Sequence, residues 1–407
     1  MSAEFGSAPD LSAGIGARMT SGNWPASLQL IGSKGLGGAE RWFQRFCEAL
    51  ADRQAPVAIG IRASGELDRA RAQQGWGARL PCHRLPFRTV WDPVSRLAVE
   101  RLVRRLRPEI VQTYMGRATR LTRLSRRSGL IQSGLIRPGS AHAGLTQPGL
   151  TRPLHLTRLG GYYELSPYRH ADAWIGNTRQ LCDWMLQQGL PAQRVHQIYN
   201  FVDPPQPLPA AEIERLRRTL GVTHEERLLL CMGRFVSVKG QRYLLDALAR
   251  LPAELGGRRW RLLLLGDGPL RQRLQQQARE LGIDQRILWL GWQPEPAPYL
   301  QLADLVVFPS LETETLGNVI LEAWAWRRPL LTAAFRGARE ITHHGEDVWC
   351  VPCADAPALA EGIRLLLQEP ALAKALVEEG ARRVEQAFSR DVIMRRYLEL
   401  YTDLTDG

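Results

Sequence analysis

The sequence contains no long hydrophobic run. Nowhere in its 407 residues do eighteen uncharged apolar residues follow one another, so no transmembrane helix is expected. The first residues, Met1 to Asn23, are small and polar. They lack the basic start and apolar core of a secretory signal, and a cytoplasmic location is expected. Cysteine is sparse: Cys47, Cys82, Cys182, Cys231, Cys350 and Cys353 are scattered and mostly in apolar company. That pattern fits reduced, buried thiols rather than a disulfide framework. Aromatic residues make up only 7% of the chain. No aromatic platform interleaves with the basic residues, so nucleic acid is not an expected partner. Acidic residues are outnumbered 41 to 53 by Lys and Arg, for a formal charge of +12. At 44% hydrophobic content the chain is long enough to build two domains of ordinary size.

Strand and helix patterns alternate along it. Ser27 to Gly32 is a short apolar strand, glycines 35, 37 and 38 follow, and a helix is expected from Ala39 to Arg53. Strand, glycine turn and helix form the opening unit of a doubly wound α/β sheet. Strands over Val57–Ile61, Ile110–Tyr114, Leu154–Thr157, Ala173–Gly176 and His196–Asn200 continue the pattern, with helices over Pro93–Leu106 and Arg179–Gln188. Prolines 204, 205, 207 and 209 then make a stiff linker. A second α/β unit restarts with strand Arg227–Met232, helix Gln241–Leu251 and strands Trp260–Leu265 and Ile287–Gly291. Residues 128–153 break the rhythm with imperfect copies of a Ser/Ala-Gly-Leu unit, a low-complexity insertion; His142 inside it is not a catalytic candidate. The expected organisation is a disordered segment 1–25, an N-terminal domain 26–203, a C-terminal domain 204–389 and a closing helical segment 390–407.

The most informative stretch is Pro309-Ser-Leu-Glu-Thr-Glu-Thr-Leu-Gly-Asn-Val-Ile-Leu-Glu-Ala323. Ala303 to Pro309 reads as a parallel strand stopped by proline at the carboxyl edge of a sheet, where ligands bind in open α/β sheets. Apolar residues at 316, 319, 320, 323 and 324 give a helix over Leu316–Arg327 with Gly317 in its first turn, whose N–H groups can hold phosphate. Eight helical steps rise about 12 Å, a spacing at which Glu314 and Glu322 bracket a ligand rather than share a proton. A helix-capping carboxylate and a solvated one would read the same way.

Together with four other words, this stretch resembles the retaining glycosyltransferases of family 4, which have the two-domain GT-B fold and a Glu-(seven residues)-Glu signature. The other words are Gly35-Leu-Gly-Gly-Ala-Glu-Arg41, Gly233-Arg-Phe-Val-Ser-Val-Lys-Gly240, Leu265-Gly-Asp-Gly-Pro-Leu-Arg271 and Gly337-Ala-Arg-Glu340. The likeness runs from about Gly32 to Tyr401. It implies two Rossmann-like doubly wound domains facing across a cleft, with the C-terminal helix crossing back to the N-terminal domain. It also implies a nucleoside-diphosphate sugar as donor. Carried over by position, Arg234 and Lys239 neutralise the departing diphosphate and Glu314 contacts the transferred sugar. Glu322 takes the ribose diol, which a carboxylate can accept twice. The backbone of Leu316, Gly317 and Asn318 meets the phosphates, approached from the other domain by Gly37 and Gly38. Trp292 stands where the family reads the base. Arg158 with Gly160 and Gly161 either lines the reacting centre or belongs to a loop packed by Tyr162 and Tyr163. The family usually has Gly-Phe where Thr315 and Leu316 stand here, so the donor sugar is not legible. No Asp-x-Asp motif is suitably placed, and neither metal nor cofactor is expected.

The arginines bunch at positions 96, 101, 104, 105, 107, 117, 120, 123, 126, 127 and 137. Such a field favours anionic partners, a glycolipid or polysaccharide acceptor and phospholipid head groups; a solvated basic face is the alternative. By resemblance the acceptor belongs to the bacterial cell envelope, a lipopolysaccharide core or lipid-linked polysaccharide. The enzyme is then expected on the cytoplasmic face of the inner membrane. A phosphorylase or epimerase on the same scaffold, or a silent lipid-binding scaffold, would share these motifs. His343, His344, Cys350 and Cys353 have zinc-ligand chemistry, but structural cysteines in a strand and turn are the preferred reading.

Overall fold

The computed structural model describes residues 24–35, 37–124 and 152–406. The expected disordered segment and low-complexity insertion lie almost wholly outside these residues. The described chain divides into two compact units, one of residues 24–198 with 394–406, the other of residues 199–393.

The first unit carries seven strands: β1 Ser27–Ile31, β2 Val57–Arg62, β3 Cys82–Leu85, β4 Ile110–Tyr114, β5 Leu154–Leu159, β6 Ala173–Gly176 and β7 Val195–Gln197. They form one sheet in the order β3-β2-β1-β4-β5-β6-β7, parallel throughout. Every residue of β1 and of β4 is buried, as expected when helices cover both faces of a parallel sheet. The helix Gly38–Asp52 follows β1 at once and buries Trp42, Phe43, Phe46, Ala49 and Leu50 on one face. The last strand is shorter than expected. Beyond Gln197 the chain leaves the sheet, and Tyr199 and Asn200 make their side-chain bonds in the second unit.

The closing helix Arg390–Asp406 contributes its residues from Met394 onward to this first unit. There Tyr401 completes a closed ring of four hydrogen bonds in the sheet interior. Its hydroxyl donates to Gln112 Oε1 at 3.0 Å, Gln112 Nε2 donates to the Tyr114 hydroxyl at 2.5 Å, that hydroxyl donates to Gln29 Oε1 at 3.0 Å, and Gln29 Nε2 donates back to Tyr401 at 3.2 Å. Each hydroxyl and amide meets the next, so four buried polar side chains are accommodated without an orphan in the ring. Burial pushes the Tyr114 and Tyr401 hydroxyls well above the usual phenol range, which keeps them as donors.

The second unit repeats the scheme with β8 Arg227–Met232, β9 Glu254–Leu255, β10 Arg258–Leu265, β11 Ile287–Gly291, β12 Leu305–Phe308, β13 Leu330–Ala333 and β14 Trp349–Val351. Its parallel order is β11-β10-β8-β12-β13-β14, with β9 antiparallel on β10. Counted from β8, and leaving the β9 appendage aside, this is the doubly wound 3-2-1-4-5-6 order. Consecutive leucines in β8 and β10 face both helical layers: Leu229, Leu262 and Leu264 join Leu244, Leu248, Leu359 and Ile363 in one core. A helix the proline pattern concealed, Ala210–Leu220, starts directly after Pro209. The expected helix over Leu316–Arg327 is shorter, Asn318–Ala325. Leu316 is buried outside it, and Arg327, at φ 51, has already turned left-handed.

Candidate functional site

In a doubly wound sheet the order reverses between the first and fourth strands, and their carboxyl ends leave a crevice. In the second unit those strands are β8 and β12. The loops that leave them hold Gly233 to Gly240 and Pro309 to Gly317, two of the segments singled out in the sequence.

The two loops are joined side chain to side chain and backbone to backbone. Lys239 Nζ lies 2.5 Å from Glu314 Oε2, with both side chains mostly covered. Ser310 Oγ reaches the same carboxylate oxygen at 3.4 Å, and the Lys239 ammonium sits 5.1 Å from the Phe308 ring centroid. The Leu311 N–H donates to the Val238 carbonyl at 2.7 Å, and the Glu314 N–H donates to Leu311 at 2.9 Å. Gly240 makes the close approach possible: at φ +65, a Cβ there would stand 2.0 Å from the Pro309 carbonyl oxygen. Arg234, in the same loop as Lys239, is exposed, and its carbonyl accepts from Gln241 Nε2 at 3.1 Å.

Gly317 caps the helix Asn318–Ala325 in the left-handed conformation, φ 74. A Cβ there would meet the Phe335 ring at 2.7 Å and the Phe308 ring at 2.8 Å, so glycine is required by both torsion and space. The Ile320 N–H donates to the Gly317 carbonyl at 2.9 Å, and the helix begins four residues after Glu314. Glu322, on the fifth residue of the helix, is buried at 9% exposure. The structure therefore brings Lys239, Glu314, Leu316, Gly317 and Asn318 into one continuous region at the carboxyl edge. Trp292 directly follows β11 and is 46% exposed.

Several supports had no signal in the sequence pattern. Glu312 accepts from Arg339 Nη1 at 3.0 Å and lies 3.4 Å from Arg336 Nε. Those hydrogen bonds and charges hold its carboxyl below the usual range. Asn200 Nδ2 donates to Asn318 Oδ1 at 2.6 Å, and the Tyr199 hydroxyl donates to Glu340 Oε1 at 2.9 Å. These pairs span 118 and 141 residues, which is why no local motif announces them.

In the first unit Gly37 is the N-cap of the helix Gly38–Asp52, and its N–H donates to Glu40 Oε2 at 2.8 Å. Gly38 has no heavy atom within 4 Å of where a Cβ would stand. Arg158 is the penultimate residue of β5 and is 6% exposed. Its Nε donates to the Tyr397 hydroxyl at 2.8 Å, and its guanidinium lies 4.4 Å over the Trp42 ring. It ties the closing helix to the sheet. Gly160 and Gly161 follow it, the latter packed against the Tyr163 ring.

The zinc alternative does not assemble. His344 Nδ1 accepts from the Cys350 N–H, His343 faces Asp347 and Arg383, and Cys353 Sγ points to the Ser310 carbonyl. All six cysteines are free. Among the described residues no group of three or more His, Cys, Asp or Glu is arranged to hold a metal ion. Nor is any helix of the described residues long and apolar enough to cross a membrane.

Comparison with known proteins also divides the chain in two, a few residues beyond the boundary of the compact units. Residues 36–206 match the model of the family described as Glycosyltransferase Family 4, and residues 212–383 match that of Glycosyl transferases group 1. The chain is 28% identical over 370 residues to the lipopolysaccharide core biosynthesis glycosyltransferase LpsE of Rhizobium meliloti, covering 89% of this chain and 95% of the relative. To LpsD of the same organism, also a lipopolysaccharide core biosynthesis glycosyltransferase, it is 27% identical over 90% of this chain and 95% of the relative. Among solved structures it is similar to HepE of Anabaena in complex with UDP and glucose. That match has a TM-score of 0.74 at 20% identity and covers 93% of this chain and 100% of the other.

Proposed function

Because this chain belongs to the family 4 glycosyltransferases of the GT-B fold, we propose that it transfers a sugar from a nucleoside-diphosphate donor to a cell-envelope acceptor, with retention at the anomeric carbon. The acceptor is a lipopolysaccharide core or lipid-linked polysaccharide, met at the cytoplasmic face of the inner membrane. One observation carries the reading: a lysine and a glutamate from two loops, paired at 2.5 Å beside a left-handed glycine and a helix N-terminus, at the carboxyl edge where the strand order reverses.

The assignment follows from charge. A departing nucleoside diphosphate gains negative charge as its bond to the anomeric carbon breaks, and preorganised positive groups lower that barrier. Lys239, Arg234 and the N–H groups around Leu316, Gly317 and Asn318 supply them. Glu314 keeps Lys239 aimed before the donor arrives and then accepts from hydroxyls of the transferred sugar. Glu322 accepts from the ribose diol, Trp292 stacks on the base, and Gly37 and Gly38 leave room for the phosphates beside their backbone. The acceptor oxygen bonds to the anomeric carbon on the face the diphosphate leaves, and its proton passes to the leaving diphosphate oxygen. No protein nucleophile is needed, and these cationic groups make a divalent ion dispensable.

The test offers UDP-, GDP- and ADP-linked sugars, with a chelator present, to truncated lipopolysaccharide and to its soluble core oligosaccharide. Product linkage is read by NMR. Transfer with the donor's anomeric configuration is expected from one nucleotide class. An inverted product, release that depends on phosphate, or donor isomerised without acceptor would overturn the reading.

A further inference from the structure

Among the described residues six large apolar side chains are exposed, and three of them, Trp91, Val94 and Leu97, lie within seven consecutive positions. Their exposures are 75%, 49% and 50%. The helix that carries two of them is capped at its start. The Asp92 carboxylate accepts from the Val94 N–H at 3.1 Å and from Ser95 Oγ at 2.5 Å, and Pro93 opens the helix Pro93–Leu106. That helix buries Ser95, Val99, Leu102 and Val103. Of its exposed residues, Val94, Leu97, Arg101 and Arg104 recur at i, i+3, i+7 and i+10 and so form one stripe, apolar at its start and basic at its end.

The charge around the stripe is predominantly positive. Between positions 84 and 107 stand seven arginines against two carboxylates, Asp92 and Glu100. Asp92 is turned onto the helix cap, and Glu100 is paired with Arg104 at 2.6 Å. Arg120 adds a guanidinium 4.4 Å over the Trp91 ring. Three apolar side chains are too few for a stable protein interface, which covers about 800 Å² on each partner. They suffice for an interfacial anchor, in which an aromatic ring sits at head-group level and arginines meet lipid phosphates.

We propose that the first unit docks on an anionic bilayer through this stripe, Trp91, Val94 and Leu97 entering the interface and Arg101 and Arg104 contacting phosphates. This deepens the reading of an envelope acceptor by naming the surface that meets the membrane, and it is tested without any transfer reaction. Full-length protein is floated with vesicles of phosphatidylethanolamine and phosphatidylglycerol, and with vesicles of phosphatidylcholine alone. Binding to the first and little to the second is expected, weakening in high salt. Trp91→Ser with Leu97→Ser should lower partitioning about tenfold, and Arg101→Gln about fivefold. The same variants should melt like wild type and respond equally to nucleotide, which separates a lost anchor from a lost fold. Wild type that ignores anionic vesicles, or variants that float as well as it does, would overturn the proposal. A missing nucleotide response in wild type would strike the donor site and leave this surface standing.

Discussion

Gly337→Ala should cripple the site without touching any of its side chains. Gly337 lies in the short helix Arg336–Ile341 against the loop that carries Glu314. A Cβ added there would stand 1.4 Å from the Thr315 carbonyl oxygen, 2.5 Å from its carbon and 2.9 Å from the Leu316 Cα. All three are backbone atoms, so no rotamer change relieves the clash. The carbonyl must withdraw by about 1.6 Å to reach the 3.0 Å limit below which such contacts are essentially never found. Thr315 adjoins Glu314, whose oxygen is only 2.5 Å from Lys239 Nζ, so a shift of that size parts the pair. Overpacking of this kind costs about 3 kcal/mol, which for a unit of this size lowers the melting temperature by roughly 6–12 °C. A misplacement on the order of 1 Å also costs about a hundredfold in rate. Differential scanning calorimetry and initial transfer rates at saturating donor read the two effects. A variant that melts and transfers like wild type would refute the described packing of the loop.

Gly38→Ala separates fold from ligand. Its added methyl meets no neighbouring element within 4 Å, and alanine favours the helix by about 0.5–1 kcal/mol, so urea stability should hold or rise; the proposed phosphate contact at Gly38 further requires nucleotide affinity to fall, and unchanged affinity by calorimetric titration would refute that contact. Tyr401→Phe opens the four-membered ring and leaves Gln112 Oε1 without that donor. An orphaned buried group costs about 1–3 kcal/mol, and a urea midpoint equal to wild type would contradict the ring. His155 is sealed inside the first unit, and burial lowers its pKa to about 3. Below about pH 6.5 the unfolded chain takes a proton that the native state refuses, so stability falls with acid until about pH 3. The decline should be shallower in His155→Gln, and identical slopes would refute the assignment.

The doubly wound units were legible because parallel strands covered on both faces leave continuous apolar runs, as in Leu228 to Cys231, and because glycines mark the turns at their carboxyl ends. The helix carrying Glu322 was read two residues too early. Leu316 fits the helical period yet packs in the loop ahead of it, while the rings of Phe308 and Phe335 hold Gly317 left-handed. Periodicity records burial and does not distinguish these two ways of achieving it. The helix after Pro209 was hidden by four prolines that end where it begins. For the candidate site, the motif residues were proposed from their order along the chain. The clamp of Glu312 on Arg339, the Asn200–Asn318 bond and the Arg158–Tyr397 tie join residues distant in sequence. Only the folded sheets bring such partners together.

The central claim is that Lys239 and Glu314 mark the donor's diphosphate. Melting temperature with UDP, GDP and ADP in separate wells, for wild type and Lys239→Ala, tests it most directly. A ligand at a hundred times its dissociation constant adds about 2.7 kcal/mol to native stability, a visible shift. A shift is expected with one nucleotide and disappears in the variant. No shift with any nucleotide at millimolar concentration, or an equal shift in Lys239→Ala, would contradict it.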